Sequence, residues 1–395
     1  MRDGMAKQAA RNPEAMHILN VSALLDPVIG GGTAERTVQL SRAFSLHGWQ
    51  TTCLCVDTGF DRPALQRRLG GARLELLPCF NRRFLLPIWN RARMDKLIES
   101  ADIIHLSNHW TVLNALVVRS AIRQRKPWIV CPAGALPLMG RSQGIKRVYN
   151  RFAGTRLIRE AAAWVAITHR ESTSFEDYGV AAHSVSVIPN GIEPSEYMDA
   201  DADEFRRRHG LGDRSLLTFL GRLNPIKGPD LLLAAFQKIA DRHPSWDLLF
   251  AGPDGGMLHS LRSQASLLGE RVKFLGHVGL SEKSSLLTAS NLVAVPSRSE
   301  AMSLVALEAG ACATPVLMTT ECGFDDLPDS GGGELVGANA IEIAAGLDRM
   351  LSQPERLAAQ GEHLREYIFG HYVWKAAVSR YEPLFASILS EWRAK

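Results

Sequence analysis

Two successive α/β units, each a doubly wound parallel sheet, are predicted by three observations. Short apolar segments of strand length alternate with helical periodicity through most of the chain. The alternation halts at the turn Pro189-Asn190-Gly191 and a polar, acidic stretch over 192–203, then restarts. The 395 residues also give each half enough length to bury its own core. Strands buried on both faces read as continuous apolar runs, which is the pattern of parallel sheets joined by crossover helices.

In the first unit the strand His17-Ile18-Leu19-Asn20-Val21 runs into the cluster Gly30-Gly31-Gly32. Beyond it Val38, Leu40, Ala43, Phe44 and Leu46 recur at helical spacing. Further strands are expected over 51–56, 102–106, 128–131, 163–167 and 185–188. The second unit repeats the scheme, with strands over 216–220, 247–251, 272–275, 292–295 and 315–318. Its helices are expected over 229–240, 258–268 and 303–311. Trp374, Val378, Tyr381, Phe385, Ile388 and Trp392 then step by three or four, an apolar stripe that must dock on a core. The expected division is a flexible tail over 1–15, a first domain over 16–190, a second over 191–370, and a terminal helix over 371–395 that completes the first.

Composition excludes several classes. Apolar residues are 46% and charged residues 22%, so the chain is not disordered, collagen-like or a disulfide scaffold. The first fifteen residues lack the apolar core of a secretory signal, and no run approaches the roughly 18 residues of a membrane span. None of the six cysteines falls in a C-x-x-C pair, so reduced thiols in a cytoplasmic protein are expected. The net charge of +4 hides an asymmetry. Residues 1–190 carry 25 Lys and Arg against 14 Asp and Glu, or +11; residues 191–395 carry 20 against 27, or −7.

Chemistry concentrates in the acidic half. Arg222 and Lys227 stand five apart on a loop between a strand and a helix, where open α/β sheets bind ligands and where two cations beside helix-start amides suit a diphosphate. The second cluster runs Pro296-Ser297-Arg298-Ser299-Glu300-Ala301-Met302-Ser303-Leu304, with Glu308 further along the following helix. A carboxylate at a strand end accepts hydrogen bonds from sugar hydroxyls. Ser303 is placed to cap the helix, and amides near Met302, Ser303 and Leu304 to meet phosphate.

These strings, GRLNPIKGPDLLLAAF and SEAMSLVALEAGACATPV, together with the two-sheet order, resemble retaining GT-B glycosyltransferases of glycosyltransferase family 4. The resemblance implies two Rossmann-like domains facing across a cleft, with a final helix crossing back to the first. It implies transfer of a sugar, with retention, from a nucleotide-sugar, UDP- or GDP-linked, to a glycan or lipid-linked acceptor in cell-surface polysaccharide or glycolipid synthesis. Glu300 and Glu308 match the family's paired glutamates, for sugar hydroxyls and ribose. Arg222 and Lys227 match its diphosphate pair, and Gly31 and Gly32 its N-terminal glycine turn. His109 sits near its acceptor-domain histidine, giving it a catalytic role at the sugar or acceptor. His277 lies where the donor base packs against backbone. No metal and no cofactor are expected, since cations and helix amides supply the positive charge.

Two departures stand out. Ala301 and Ser303 occupy positions where the family often has glycine, narrowing the room for the sugar. Ala133 replaces a frequent arginine, whose charge Arg141 could supply. A nucleotide-sugar epimerase of the same layout and an inactive scaffold in polysaccharide assembly are the alternatives. Asp199, Asp201 and Asp203 form a D-x-D-x-D string, but Glu204 and Gly210 stand where a calcium loop needs Gly and Glu. The basic half carries Arg141, Lys146, Arg147 and Arg151, interleaved with Ile145, Val148, Tyr149 and Phe152. This reads as a surface for an anionic membrane or a lipid-linked acceptor, on a protein held peripherally at the inner face of the cytoplasmic membrane. Nucleic acid is disfavoured, because no binding module or stacking platform is present.

Overall fold

The computed structural model describes residues 16–26, 30–138 and 143–394. The tail expected over 1–15, and Arg141, lie outside the described residues. The first compact unit runs to Ile188 and resumes at Val378; the second is Pro189–Ala377. The terminal helix therefore does not belong wholly to the first unit, as its expected range implied. It spans Trp374–Arg393, and its first turn packs with the second.

The first unit holds strands β1 His17–Val21, β2 Gln50–Asp57, β3 Arg73–Asn81, β4 Leu86–Pro87, β5 Ile103–Ser107, β6 Trp128–Cys131, β7 Ala163–Ala166 and β8 Ser186–Val187. Their order is β4-β3-β2-β1-β5-β6-β7-β8, parallel except for the β3–β4 hairpin. The second holds β9 Ser215–Leu220, β10 Trp246–Ala251, β11 Val272–Gly276, β12 Leu292–Val295, β13 Val316–Thr319 and β14 Gly333–Val336. Their order is β11-β10-β9-β12-β13-β14, all parallel. Each sheet reverses its winding once, between β1 and β5 and between β9 and β12. A crevice outside the strand ends opens at such a reversal.

Sequence periodicity does not find β3, β4 or β14. Pro78 interrupts β3, β4 is two residues long, and Gly-Glu-Leu-Val is too short and too polar for an apolar run. Asp201 of the D-x-D-x-D string accepts the Glu204 N–H at 2.8 Å, capping the helix Ala202–Arg208.

A buried polar chain ties the terminal helix to the first sheet. His105 of β5 donates from Nδ1 to Asn20 of β1 at 2.9 Å and accepts at Nε2 from the Tyr381 hydroxyl at 3.2 Å. Arg36, on the helix Gly31–Leu46, donates to the same hydroxyl at 3.3 Å. Asn20 continues to Ser41 at 2.8 Å, and Ser41 to the Thr37 carbonyl at 2.7 Å. Phe44, Trp49 and Phe385 pack beside this chain. Every group in it is almost fully buried, so each needs its partner. Tyr381→Phe should therefore cost about 1–3 kcal/mol, seen as a melting temperature lowered by about 2–4 °C per kcal/mol.

Candidate functional site

The second unit's site begins where β9 and β12 end. Gly228 closes the loop after β9 with φ +67°, and a Cβ there would lie 2.1 Å from the Pro296 carbonyl oxygen. Only glycine allows this approach. It brings the loop 221–228 against the loop 296–303, and the Arg298 N–H donates to the Ile226 carbonyl at 2.7 Å. Across this seam Lys227 Nζ meets Glu300 Oε1 at 2.8 Å. The Ser297 hydroxyl also donates to Glu300. Arg298 locks the seam from outside, bidentate to Asp230 at 2.6 and 2.9 Å and bonded to the Pro225 carbonyl at 2.6 Å. Its side-chain hydrogen bonds, set against partial burial, hold the Asp230 carboxyl below the usual range. Sequence reasoning missed Arg298, whose partners lie about seventy residues away.

Arg222 sits on the neighbouring edge of the same loop. Gly255 lets the loop after β10 press on it, since a Cβ there would lie 2.9 Å from Arg222 Cγ. Leu223 exchanges backbone hydrogen bonds with this loop, to Pro253 O and from Gly255 N, both at 3.0 Å. Thus the ends of β9 and β12 bring Lys227 and Glu300 together, and the loop after β10 packs on Arg222 of the same β9 loop. His277 is exposed on the loop after β11, at the sheet's edge.

The loop carrying Ala301 and Met302 is pinned from beneath. Glu300 N–H donates to Glu321 O at 2.8 Å and Ser303 N–H to Cys322 O at 2.9 Å. Gly323, at φ +64°, would place a Cβ 1.9 Å from the Ala301 oxygen. Ser303 is completely buried, and its Oγ accepts from Ala306 N at 3.4 Å, capping the helix Leu304–Ala311. Two expectations are corrected. The Ser303 amide is committed to Cys322 and does not face a phosphate, and its side chain is turned into the fold and takes no donor space. Met302 is buried too, with its sulfur accepting the Asn190 N–H at 3.4 Å.

Glu308 lies one turn into that helix, 5% exposed, with Lys283 Nζ at 2.5 Å. Sequence reasoning missed Lys283, because nothing local marks a lysine whose partner is on another helix. The pairing gives a buried carboxylate an opposite charge, as such burial requires.

In the first unit, Gly31 opens the helix Gly31–Leu46 with φ +58°, and a Cβ added there would meet nothing within 4 Å. Gly32 follows, exposed. Both lie after β1, beside the reversal point. His109 departs from expectation. Asn108 adopts φ +63° at the end of β5 and turns the next side chain inward. The imidazole is fully buried among Trp110, Tyr149 and Tyr178, and bonds Asn150 Oδ1 at 2.9 Å. Burial lowers its pKa to about 4, so it is neutral at pH 7. This placement makes it a core histidine with no face open to a sugar or acceptor.

Glu171, also unforeseen, holds the loop after β6, where Ala133 has φ +50°. Its carboxylate accepts the N–H of Gly134 at 2.5 Å and of Ile167 at 2.8 Å. Lys146, Arg147 and Arg151 lie along 143–154, with Lys146 Nζ 5.1 Å over the Trp110 ring.

Comparison with known proteins follows the same division. Residues 30–196 match the model for Glycosyltransferase Family 4, and residues 201–367 that for Glycosyl transferases group 1. A D-inositol 3-phosphate glycosyltransferase of Rhodococcus opacus is 36% identical over 216 residues, 52% of this chain and 48% of that protein. One from Salinispora tropica is 27% identical over 361 residues, 83% and 72%. The chain spans about half the length of the first of these curated relatives. Anabaena HepE in complex with UDP-glucose has the same fold, with TM-score 0.76, 22% identity and coverage of 95% and 100%. Sucrose-phosphate synthase from Thermosynechococcus elongatus has TM-score 0.73, 21% identity and coverage of 95% and 100%.

Two outcomes test the geometry. Gly228→Ala should push the two loops apart and lower the melting temperature of the second unit, against no such loss for alanine at Gly370, a helical position with open space around it. The second concerns pH. Between about 4 and 6.5 the unfolded chain protonates His109 and the native chain does not, so stability is full above 6.5 and is lost as pH falls. His109→Phe should remove about 2 kcal/mol of the stability difference between pH 7 and pH 5, read from denaturant midpoints.

Proposed function

This chain is a GT-B glycosyltransferase resembling family 4, and we propose that it moves a glycosyl group from a nucleotide-sugar to a lipid-linked or glycan acceptor with retention at the anomeric carbon. The observation that carries this is the Lys227–Glu300 pair at the reversal point of the second sheet, with Arg222 on the same loop as Lys227. A diphosphate entering there offers Lys227 a second anion. Lys227 and Arg222 then stabilise the charge that develops on the departing nucleoside diphosphate. Glu300, released from its lysine, accepts hydrogen bonds from the sugar hydroxyls. Glu308, paired with Lys283, accepts those of the ribose. Met302 and Leu304 lead into the helix Leu304–Ala311, whose N-terminal dipole favours the same phosphate. His277 borders the base through its backbone. Two cations and a helix end make the reaction metal-independent in this reading.

The acceptor belongs to the first unit in this reading, where Gly31 and Gly32 follow β1 with no side chain covering the backbone. Neighbouring structures bound to UDP and UDP-glucose favour a UDP-linked donor. The relatives' names favour a phosphorylated polyol as a second acceptor reading. Among the described residues no helix is long and apolar enough to cross a membrane. The cations Lys146, Arg147 and Arg151 support peripheral attachment at the inner membrane face.

Lys227→Ala should lower transfer by about 10²–10³ while the far-ultraviolet spectrum is unchanged; wild-type turnover would remove the diphosphate assignment. Transfer should persist in chelator, and the product's anomeric configuration, read by NMR, should match the donor's. An epimer formed from donor alone would favour the epimerase alternative, and donor binding without any turnover the scaffold.

A further inference from the structure

The first unit exposes two apolar features at one end of its sheet. The first is the β3–β4 hairpin, where Phe80, Phe84 and Ile88 are 77%, 53% and 52% exposed. Arg82 and Arg83 lie exposed between them, with Arg83 Cζ 5.5 Å from the Phe84 ring centre. The second is the helical segment after β6. There Ile145, Val148 and Phe152, spaced three and four apart, are 61%, 56% and 78% exposed. Tyr149, Leu157 and Ile158 turn to the core instead. The segment thus presents apolar residues and the cations Arg147 and Arg151 on its open side.

Both features lie at the C-terminal end of the strands. β3 and β6 run parallel, and each feature follows its strand's C-terminal end. Four strand spacings separate β3 from β6, about 19 Å at ~4.8 Å each. The helix Val112–Arg123, which follows β5, connects them. Tyr149 bonds the Thr111 carbonyl at its start at 3.0 Å, β4 packs against the same helix, and Val112 itself is exposed.

We infer that the hairpin and the 145–152 stripe together form a two-point docking surface for an anionic lipid bilayer, with Phe80, Phe84 and Phe152 entering the headgroup boundary. This rests on the peripheral attachment proposed above and deepens it by naming a hairpin that the basic cluster does not include. Aromatic and aliphatic side chains beside arginines suit an interface that is apolar below and anionic above. A second copy of the chain fits less well, because a self-contact would set Arg82, Arg83, Arg147 and Arg151 against their own duplicates. The surface would hold the protein where a lipid-linked acceptor is presented.

Flotation of the full chain with phosphatidylglycerol/phosphatidylcholine vesicles, against phosphatidylcholine alone, tests this at low salt. The wild type should float with the anionic vesicles only. F80S/F84S should cut the bound fraction by about tenfold, and I145S/F152S by a similar factor, with melting temperatures unchanged because all four side chains are exposed. L267S/I341S, which removes exposed apolar residues from the second unit, should float like the wild type. If the wild type does not float, the attachment and the inference both fail. If it floats and F80S/F84S floats equally, the attachment stands and the hairpin has no part in it. A wild-type dimer in sedimentation that F80S/F84S abolishes would assign the surface to a second copy and overturn the inference.

Discussion

The second unit's chemistry depends on one close approach, that of the Gly228 backbone to the Pro296 carbonyl. β9 and β12 are neighbours in the sheet but seventy residues apart in the chain, and their loops carry opposite charges. Lys227 and Glu300 meet at 2.8 Å only because the residue after Lys227 has no side chain to hold the loops apart. Arg298, Asp230 and the Pro225 carbonyl fix the contact from outside, and Gly323 and the Cys322 carbonyl fix it from below. The result is a pre-formed Lys227–Glu300 pair on two loops that hold each other in place. Such preorganisation is what gives charge stabilisation its effect in a site of low dielectric.

The charge asymmetry takes on meaning from this arrangement. The second unit is acidic overall, and an anion site of the proposed kind needs only two local cations. Much of its remaining positive charge is tied into ion pairs, as with Arg298 and Asp230, Lys283 and Glu308, and Arg349 and Glu334. The first unit carries an excess of cations. This excess lies partly along 146–151 and at Arg82 and Arg83, beside apolar side chains that face solvent.

Much of the fold is legible in the sequence because buried parallel strands are apolar on both faces. Strands such as Trp128–Cys131 and Leu292–Val295 stand where the runs place them. The strands β3, β4 and β14 escape, since they bury less and carry Pro or polar residues. In the second unit, position in the pattern singles out Arg222, Lys227 and Glu300 as candidates at strand ends, and Glu308 one turn into a helix. It cannot find Lys283, Arg298 or Glu171, whose roles are set by residues distant in the chain. It also misplaces His109, because a histidine after a strand looks the same whether the backbone turns it outward or, as Asn108 does here, inward. Ser303 shows the converse, since a change that looks like an obstruction in the sequence is a buried helix cap in the structure.

The most direct test of the central claim is calorimetric titration of UDP-glucose, GDP-mannose and ADP-glucose into the full chain in the presence of chelator. The account predicts saturable binding of at least one of them, weakened at least about tenfold by Lys227→Ala and by Arg222→Ala separately, each a loss of about 1.4 kcal/mol or more. Binding to both variants with wild-type affinity would contradict it.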